Sequence, residues 1–178
     1  MRAVVTRVRE ASVRIIDAEA TAAESANGEA VNGMAADADA ANSEIAGLQS
    51  DDAERSIGKG FLILLGVHRD DTEKEADRMA DRICGLRIFE DEEGRMNVNP
   101  ADAGAQLLIV SQFTLYADVS SRRPGFSDAA RPVKAIPLYE RVIAGCRERG
   151  FEVKTGEFGA DMLVSSVNDG PVTIVIDC

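Results

Sequence analysis

The sequence predicts an α+β domain with about seven strands and two main helices, the helices covering one face of the strands. Two patterns predict this fold: several short segments are rich in Val, Ile and Leu, and two longer segments have apolar residues at helical spacing. A length of 178 residues suffices for one domain with a sizeable core. Because no segment is repeated, we expect residues 1–178 to form a single domain.

Three strands are predicted before the first helix. Residues 3–8 and 11–16 are rich in Val and Ile, as in two strands joined by a tight turn. Residues 61–67, FLILLGV, are continuously apolar and predict a buried strand. The residues before them, 57–60, read Ile-Gly-Lys-Gly and are typical of a turn.

The first helix is predicted from its cap and its apolar face. Thr72 and Glu75 have the spacing of a capping box, and Gly85 is typical of a helix end. The apolar residues at helical spacing between them are Ala76, Met79, Ala80 and Ile83. A short strand at 87–90 and a turn at 91–94 are predicted to follow.

The second half of the chain contributes a helix and four strands. Residues 106–116, QLLIVSQFTLY, have the strongest strand pattern in the sequence. The second helix is predicted to begin near Pro137 and to end before Gly150. Its apolar face comprises Leu138, Val142 and Cys146. The remaining predicted strands are 151–155, 161–167 and 171–176.

Residues 17–55 interrupt this pattern. They contain ten acidic residues, one basic residue and 13 alanines, but only four larger apolar side chains and no aromatic one. Such a segment cannot bury enough apolar surface to offset the entropy lost on ordering the chain. We interpret it as an acidic, Ala-rich insertion in the single domain and expect a disordered or weakly helical loop, with an acidic docking arm as the alternative.

The net charge bears on the possible partners. A formal charge of -11 and a pI near 4.6 argue against a broad basic surface that grips a nucleic-acid backbone. The insertion carries -9 of this charge, however, and the other 139 residues carry only -2. A small contact with one nucleic-acid end is therefore compatible with the composition.

The composition also excludes several classes of chemistry. The single histidine, His68, cannot build a multi-histidine metal site and is expected to be a surface turn residue. The cysteines lack Cys-x-x-Cys spacing, so neither a zinc site nor a disulfide framework is indicated. An enzyme with this sequence is expected to act without a metal, a dinucleotide or a histidine relay.

The sequence further predicts where the protein resides. No window approaches 18 consecutive apolar residues, and the N-terminal residues lack the pattern of a secretory signal. The three cysteines are odd in number and widely spaced, which is typical of a protein in a reducing compartment. We therefore expect a cytoplasmic protein with no membrane partner.

Ser111-Gln112-Phe113-Thr114 is the first of three segments that suggest a functional site. A hydroxyl and a carboxamide follow a buried strand, and a buried polar group costs about 1–3 kcal/mol if it is unpaired. Alternation would place Ser111 and Phe113 on one face of the strand, and Gln112 and Thr114 on the other. These polar groups are expected either to bond neighbouring backbone or to meet a ligand.

The other two segments are rich in glycine. Residues 168–173, Asn-Asp-Gly-Pro-Val-Thr, form either an ordinary turn or a backbone corner with outward carbonyls. Residues 156–162, Gly-Glu-Phe-Gly-Ala-Asp-Met, form either a packed turn or the wall of a pocket. Arg122 and Arg123 lie in a loop that is either a solvated surface or a phosphate contact.

Together these segments resemble the D-aminoacyl-tRNA deacylase family. The resemblance covers the chain except for residues 17–55, and the combination of SQFTL with NDGPVT, in this order, is specific. The matching segments are MRAVVTRVREASV, IGKGFLILLGV, LRIFEDEEGRMN, SQFTLYAD, RRPGFSDAA, LYERV, TGEFGADM and VNDGPVTIVID.

The resemblance implies a homodimeric, metal-independent hydrolase without a cofactor. Its substrate would be a D-amino acid, or mischarged glycine, esterified to the 3′-terminal ribose of tRNA, and its sheets would be mixed or antiparallel and barrel-like. The catalytic segment implied is Ser111, Gln112, Phe113 and Thr114. A cis Gly170-Pro171 bond would enter the partner subunit's active site and exclude L side chains.

The resemblance also implies a set of residues around the substrate. Phe158 and Met162 match residues beside the pocket, and Arg7 matches an arginine near the Gly-Pro motif. Ala129 or Ala130 falls where the family receives the terminal adenosine.

Two mechanisms and one non-catalytic role remain open at this point. In the first mechanism water attacks the ester with help from the ribose 2′-hydroxyl, while Gln112 and backbone N–H groups near Phe113 stabilise the oxyanion. In the second, Thr114 is a covalent nucleophile, which requires an activating base. The alternative function is a non-catalytic module that binds the tRNA 3′ end, or an editing module associated with a synthetase.

Overall fold

The computed structural model describes residues 1–16 and 54–178. Most of the predicted insertion lies outside these residues, but its last two positions, Glu54 and Arg55, belong to a strand. The elements in chain order are β1 Arg2–Ile16, β2 Glu54–Ile57, β3 Gly60–Gly66, α1 Glu73–Gly85, β4 Phe89–Glu90, β5 Met96–Val98, β6 Gln106–Ser111, a 3-10 turn Phe113–Tyr116, α2 Pro132–Glu148, β7 Val153–Thr155 and β8 Asp161–Asp177. Neither α1 nor α2 is long and apolar enough to cross a bilayer.

The main sheet is mixed and is organised around the long strand β1. On one side β1 pairs antiparallel with β8 over almost its whole length. On the other side it pairs antiparallel with β3 and β2, which lie in one continuous register from Arg2↔Gly66 to Arg14↔Glu54. β6 then pairs parallel with β3, and β7 pairs parallel with β6. β4 and β5 form a separate hairpin.

The two faces of the sheet carry different cores because side chains alternate along each strand. Both helices cover the same face, as predicted from the sequence. Their buried side chains there include Met79, Ile83, Val142 and Cys146, and the facing strand residues include Val5, Phe61, Ile63, Leu107 and Ile109. Each fully buried aliphatic or aromatic side chain of this kind contributes about 1.5–3 kcal/mol.

A smaller core fills the opposite face. This core brings together side chains of four strands: Val8, Ala11 and Val13 of β1, Ile57 of β2, Leu62 of β3, and Leu108 and Val110 of β6. Strands at different positions in the sheet share this core, so the sheet is curled into a nearly closed barrel. The α+β, barrel-like architecture predicted from the sequence is therefore confirmed.

The cap of α1 agrees with the predicted capping box. The backbone N–H of Thr72 donates to the Glu75 carboxylate at 2.9 Å, and the Thr72 hydroxyl donates to the same oxygen. The hydrogen bond from that hydroxyl is the main reason that the pKa of Glu75 is lowered. α1 packs closely on α2, since a Cβ added to Gly145 would lie 3.0 Å from the Cβ of Ala80.

The predicted tight turn between residues 3–8 and 11–16 is wrong, because β1 is one uninterrupted strand. Arg9 and Glu10 separate the two apolar runs and are exposed, but β1 continues through them. Its pairing with β8 shifts register twice there, between Thr6 and Glu10. The predicted strands 161–167 and 171–176 are likewise parts of the single strand β8. The sheets contain eight strands in the described residues.

Two of the other boundaries differ from the predictions by several residues. The strand predicted at 106–116 ends at Ser111 and is followed by the 3-10 turn. Helix α2 begins at Pro132 rather than near Pro137. A proline at the first helical position loses no internal hydrogen bond. Pro137 lies inside the helix and cannot donate to the carbonyl of Val133. Val133 is 85% exposed, in the first turn of the helix.

Candidate active site

The Ser111–Thr114 segment lies where β6 ends and the chain turns sharply. The backbone N–H of Gln112 makes a last bond to the carbonyl of Leu65 at 2.9 Å, and the N–H of Leu115 then donates to the carbonyl of Gln112 at 3.3 Å. The turn packs on Gly66, where an added Cβ would lie 3.0 Å from the carbonyl oxygen of Gln112. Since neighbouring β3 ends at Gly66, β6 has no strand partner beyond Ser111, and the predicted alternation of side chains is wrong past that residue.

The polar groups of this turn are close together and open to solvent. The Gln112 carboxamide nitrogen donates to the Thr114 hydroxyl oxygen at 2.6 Å. Thr114 is exposed, and Phe113 is 54% exposed with its ring edge-on to Phe126 at 5.0 Å. Among the described residues, no acceptor is found for the backbone N–H groups of Phe113 and Thr114. The turn therefore presents several hydrogen-bond donors beside an exposed aromatic ring.

Ala129 and Ala130 lie beside this turn. The N–H of Ala130 donates to the carbonyl of Val67 at 2.9 Å, and Ala129 forms an isolated bridge with His68. The His68 ring packs on Tyr116 of the 3-10 turn, with ring centroids 5.0 Å apart. His68, expected to be a surface turn residue, is in fact half-buried in this contact.

Phe158 and Met162 lie on the other side of the end of β6. The N–H of Gly156 and the hydroxyl of Tyr139 both donate to the carbonyl of Ile109, at 3.3 and 2.7 Å. The Phe158 ring packs edge-on to Tyr139 with centroids 6.1 Å apart. Met162 lies over Gly156, where an added Cβ would be 2.7 Å from the methionine sulfur. The loop that carries Phe158 is thus attached to β6, and Met162, in the first residues of β8, packs on it.

Tyr139 is a residue of this site that the sequence did not indicate. Its ring is on the buried face of α2, next to the predicted Leu138. Burial raises the pKa of Tyr139, against a smaller opposing effect of Arg55 and Arg147, so the hydroxyl stays protonated and keeps donating to β6. A tyrosine on a buried helix face needs a hydrogen-bond partner, and that requirement could have drawn attention to it.

The Gly170-Pro171 bond is cis, and both residues are exposed on β8. Gly170 has φ of 153°, and an added Cβ would lie 2.3 Å from the backbone nitrogen of Val172. Beneath the preceding residue, Arg7 is buried and donates from Nε to the carbonyl of Asp169 at 2.8 Å. Its Nη1 donates to the carbonyl of Ile88 at 2.6 Å.

A single chain does not bring the Gly-Pro corner to the Gln112–Thr114 turn. β8 is separated from β6 by β1 and β3, which makes three strand spacings, on the order of 15 Å. Gly170 also lies toward the opposite end of the strands, since Thr173 pairs with Thr6, and Thr6 with Leu62. The site residues of a single described chain thus form two groups.

The segment between the 3-10 turn and α2 carries three arginines and two aspartates. Arg122, Arg123 and Arg131 are exposed in the segment between the 3-10 turn and α2. No cluster of three or more potential metal-ligating side chains occurs in the part of the chain that the structure describes.

Several known proteins are similar to this chain. The D-aminoacyl-tRNA deacylases of Symbiobacterium thermophilum and Thermus aquaticus are 56% and 54% identical to the chain, each over 68% of this chain and 81% of the relative. The solved structure of the c-Myc DNA Unwinding Element Binding Protein is 32% identical, with a TM-score of 0.74, covering 100% of this chain and 99% of that one. A probable eukaryotic D-amino acid tRNA deacylase shares the fold at 14% identity, with a TM-score of 0.71, over 99% of this chain and 98% of that one. The model of the D-Tyr-tRNA(Tyr) deacylase family matches residues 4–177, and the chain belongs to this family.

Proposed function

We propose that the protein hydrolyses the ester bond between a D-amino acid and the 3′-terminal ribose of tRNA, and that it removes mischarged glycine in the same way. This reaction would proofread the handedness of aminoacyl-tRNA and return free tRNA to translation in the cytoplasm. The observation that carries the proposal is the solvent-facing group of donors at Gln112, Phe113 and Thr114, in a chain of this family.

Paired substrates of opposite handedness test the activity. The protein is incubated with D-tyrosyl-tRNA and L-tyrosyl-tRNA, and the remaining ester is measured with time. Rapid loss of the D ester alone is the expected result. Persistence of both esters would contradict the proposal and would favour a non-catalytic tRNA-end binder or an editing module that needs a synthetase.

For the mechanism, we infer that water attacks the ester carbonyl and that the substrate's own 2′-hydroxyl assists. In the described residues, the Thr114 hydroxyl bonds only the neutral Gln112 carboxamide, which cannot remove a proton from it. The second Gln112 N–H and the backbone N–H groups of Phe113 and Thr114 suit a developing oxyanion. Ser111 contributes through its strand pairing with Leu65, which fixes the start of the turn.

Two substitutions separate this mechanism from a covalent one. Thr114→Ala should keep activity within about threefold of wild type, whereas Gln112→Ala should lose about 10²- to 10³-fold in kcat. A tRNA ending in 2′-deoxyadenosine should react at least about tenfold more slowly. A folded Thr114→Ala protein without activity, or an acyl group trapped on Thr114, would overturn the water mechanism.

We also infer that the working form is a homodimer in which Gly170 and Pro171 enter the partner's site. β8 is an edge strand, and it exposes the apolar side chains Leu163, Val164, Val167 and Val175 as well as the Gly-Pro corner. An exposed apolar edge of this kind favours association with another chain. A partner's Gly-Pro corner would supply the rigid backbone that rejects L side chains.

Mixed dimers test this arrangement. Gly170→Ala and Gln112→Ala proteins, each inactive alone, are unfolded together and refolded. Half of the dimers would be hybrids, each with one intact composite site, so about a quarter of wild-type activity should return. No recovery from a mixture that sediments as dimers would contradict a site shared between subunits.

Recognition of the tRNA should involve few phosphates. We propose that Ala129 and Ala130 receive the terminal adenosine and that Arg122, Arg123 and Arg131 meet the acceptor end. Three phosphate contacts predict a slope of about -2 to -2.7 in a plot of log affinity against log salt concentration. A much steeper slope would contradict an interaction limited to the 3′ end.

A further inference from the structure

Arg55, the second residue of β2, connects this strand to the end of β7 and to the loop that carries Phe158. Its side chain is half-buried, and its Nη1 donates to two consecutive carbonyls, Thr155 at 2.8 Å and Gly156 at 2.9 Å. Both bonds cross a sequence separation of about 100 residues. They join β2, at one end of the strand order, to the end of β7, at the other end, and to the loop that follows β7.

Gly156 is consequently held from two directions. Its N–H donates to the carbonyl of Ile109 in β6, and its carbonyl accepts from Arg55. Two residues after Ile109, β6 reaches Ser111 and the catalytic turn. The backbone of Gly156 therefore sets the distance between this loop and that turn.

The position of Gly156 also determines where the pocket side chains lie. The Met162 sulfur rests over Gly156 and accepts from the N–H of Glu157 at 3.4 Å. Phe158 follows two residues later and packs against Tyr139, whose hydroxyl is bonded to Ile109. Met162 itself is held in β8 by its pairing with Ile15. Movement of Gly156 would therefore displace Phe158 relative to β6 and would disturb the packing of the Met162 side chain.

We propose that Arg55 is a positioning residue for the substrate: it holds the end of β7 and the loop 156–160 so that Phe158 and the side chain of Met162 fit the aminoacylated 3′ end of tRNA. The inference rests on the proposed function for the identity of the substrate. Arg55 does not contact the Gln112–Thr114 turn among the bonds of the described residues, so it acts on binding rather than on the reacting atoms.

A guanidinium suits this role better than smaller groups. Without Arg55, two partly buried carbonyls would have to find water, and the loop would lose its only bond to β2 among the described hydrogen bonds. A lysine ammonium has three donors and can reach one or both carbonyls, but it lacks the fixed geometry of the guanidinium. Arg55→Lys should therefore rescue part of what Arg55→Ala loses.

The first test measures the loop directly in the free protein. Hydrogen exchange of the amides of residues 156–162 is compared in wild type, Arg55→Ala, Arg55→Lys and the control Arg147→Ala. Arg147 carries the same charge, but its Nη2 donates to the carbonyl of Val153 in β7 and not to the loop. Exchange should be at least about tenfold faster in Arg55→Ala and within about threefold of wild type in the other two proteins.

The second test measures kinetics with D-tyrosyl-tRNA. Arg55→Ala should raise KM about tenfold with kcat within about threefold, because substrate binding is weakened while the catalytic turn is intact. A lower fraction of folded enzyme would reduce the apparent kcat and leave KM unchanged. Arg55→Lys should recover most of the KM, and Arg147→Ala should match wild type.

The outcomes distinguish this inference from the proposed function. Unchanged exchange in Arg55→Ala, or a fall in kcat at constant KM, would overturn the positioning role. An equal KM increase in Arg147→Ala would also overturn it, because the effect would then follow from charge alone. If wild type cleaved no D ester, the proposed function would fail, and the exchange experiment alone would decide whether Arg55 holds the loop.

Discussion

The buried guanidinium of Arg7 holds the carbonyl of Asp169, the residue directly before the Gly170-Pro171 corner, at 2.8 Å. Arg7 also donates to the carbonyl of Ile88 and forms an ion pair with the Asp169 carboxylate at 3.4 Å. The corner itself is exposed. The orientation of the corner therefore depends on a side chain in the core beneath it.

Replacing Arg7 should affect both stability and stereoselectivity. Arg7→Ala leaves two carbonyls without their donor and should lower the free energy of unfolding by about 2–4 kcal/mol. Arg7→Lys should fold but hold the corner less firmly, so the ratio of D- to L-tyrosyl-tRNA hydrolysis should fall. Urea denaturation and paired deacylation assays check both effects. Arg9→Ala is the control, because Arg9 contacts Asp169 only at the surface, and this variant should change stability by less than about 1 kcal/mol. Equal losses of stability and stereoselectivity in the two variants would contradict the role of Arg7.

Gly170 should not tolerate any side chain. A Cβ there would collide with the backbone nitrogen of Val172, and the positive φ is unfavourable for other residues. Gly170→Ala should lower stability by about 1–3 kcal/mol and reduce hydrolysis of the D ester by at least about 100-fold. Gly85→Ala is a suitable control, since an added Cβ at Gly85 meets nothing within 4 Å. Near-normal D-ester hydrolysis by Gly170→Ala would show that the corner is not in the active site.

The hydroxyl of Tyr139 should make the protein sensitive to alkaline pH. Burial raises the pKa of both Tyr116 and Tyr139 above the ordinary value of about 10. The folded state therefore prefers the neutral phenols. The stability that these neutral phenols contribute is fully present below pH 10 and is lost as pH rises from about 10 toward the folded pKa. Tyr139→Phe should be less stable than wild type by about 1–2 kcal/mol at pH 7, because the Ile109 carbonyl loses a donor, but its stability should fall less steeply above pH 10. Parallel pH profiles for the two proteins would contradict this explanation.

The elements governed by repeating side-chain patterns were predictable from sequence. A continuous apolar run predicted β3, and the period of 3.6 together with the Thr72–Glu75 capping box predicted α1. The errors occur where a distant strand decides the outcome. β6 ends at Ser111 because its neighbour β3 ends at Gly66, and β1 runs through the exposed Arg9 and Glu10 because β8 pairs with it on both sides of the register shifts.

The candidate site was predictable only in part for the same reason. Segment 111–114 was noticeable because polar residues follow an apolar strand, and the glycine-rich segments were noticeable for their backbone freedom. Arg55 was overlooked because its neighbours in sequence are acidic and rich in alanine, whereas its contacts lie about 100 residues away. Tyr139 was overlooked because its hydroxyl partner, Ile109, belongs to a strand that no local pattern connects to α2.

The acidic segment should be dispensable if Arg55 is retained. Arg14 pairs with Glu54, so the ends of β1 and β2 are neighbours, and a turn of about four residues can replace residues 18–52. This deletion removes eight acidic residues and no basic one, which changes the formal charge from -11 to -3.

Deacylation by the shortened protein should have kcat within about threefold of wild type, since the deletion spares every proposed site residue. KM for the tRNA should decrease at low salt, because fewer negative charges repel the polyanion, and the difference from wild type should diminish at high salt. Adding Arg55→Ala to the deletion should restore a high KM at both salt concentrations, because the loss of loop contacts does not depend on screening. A shortened protein that keeps Arg55 but loses activity or sediments as a monomer would instead show that residues 18–52 themselves contribute to the site or to the dimer.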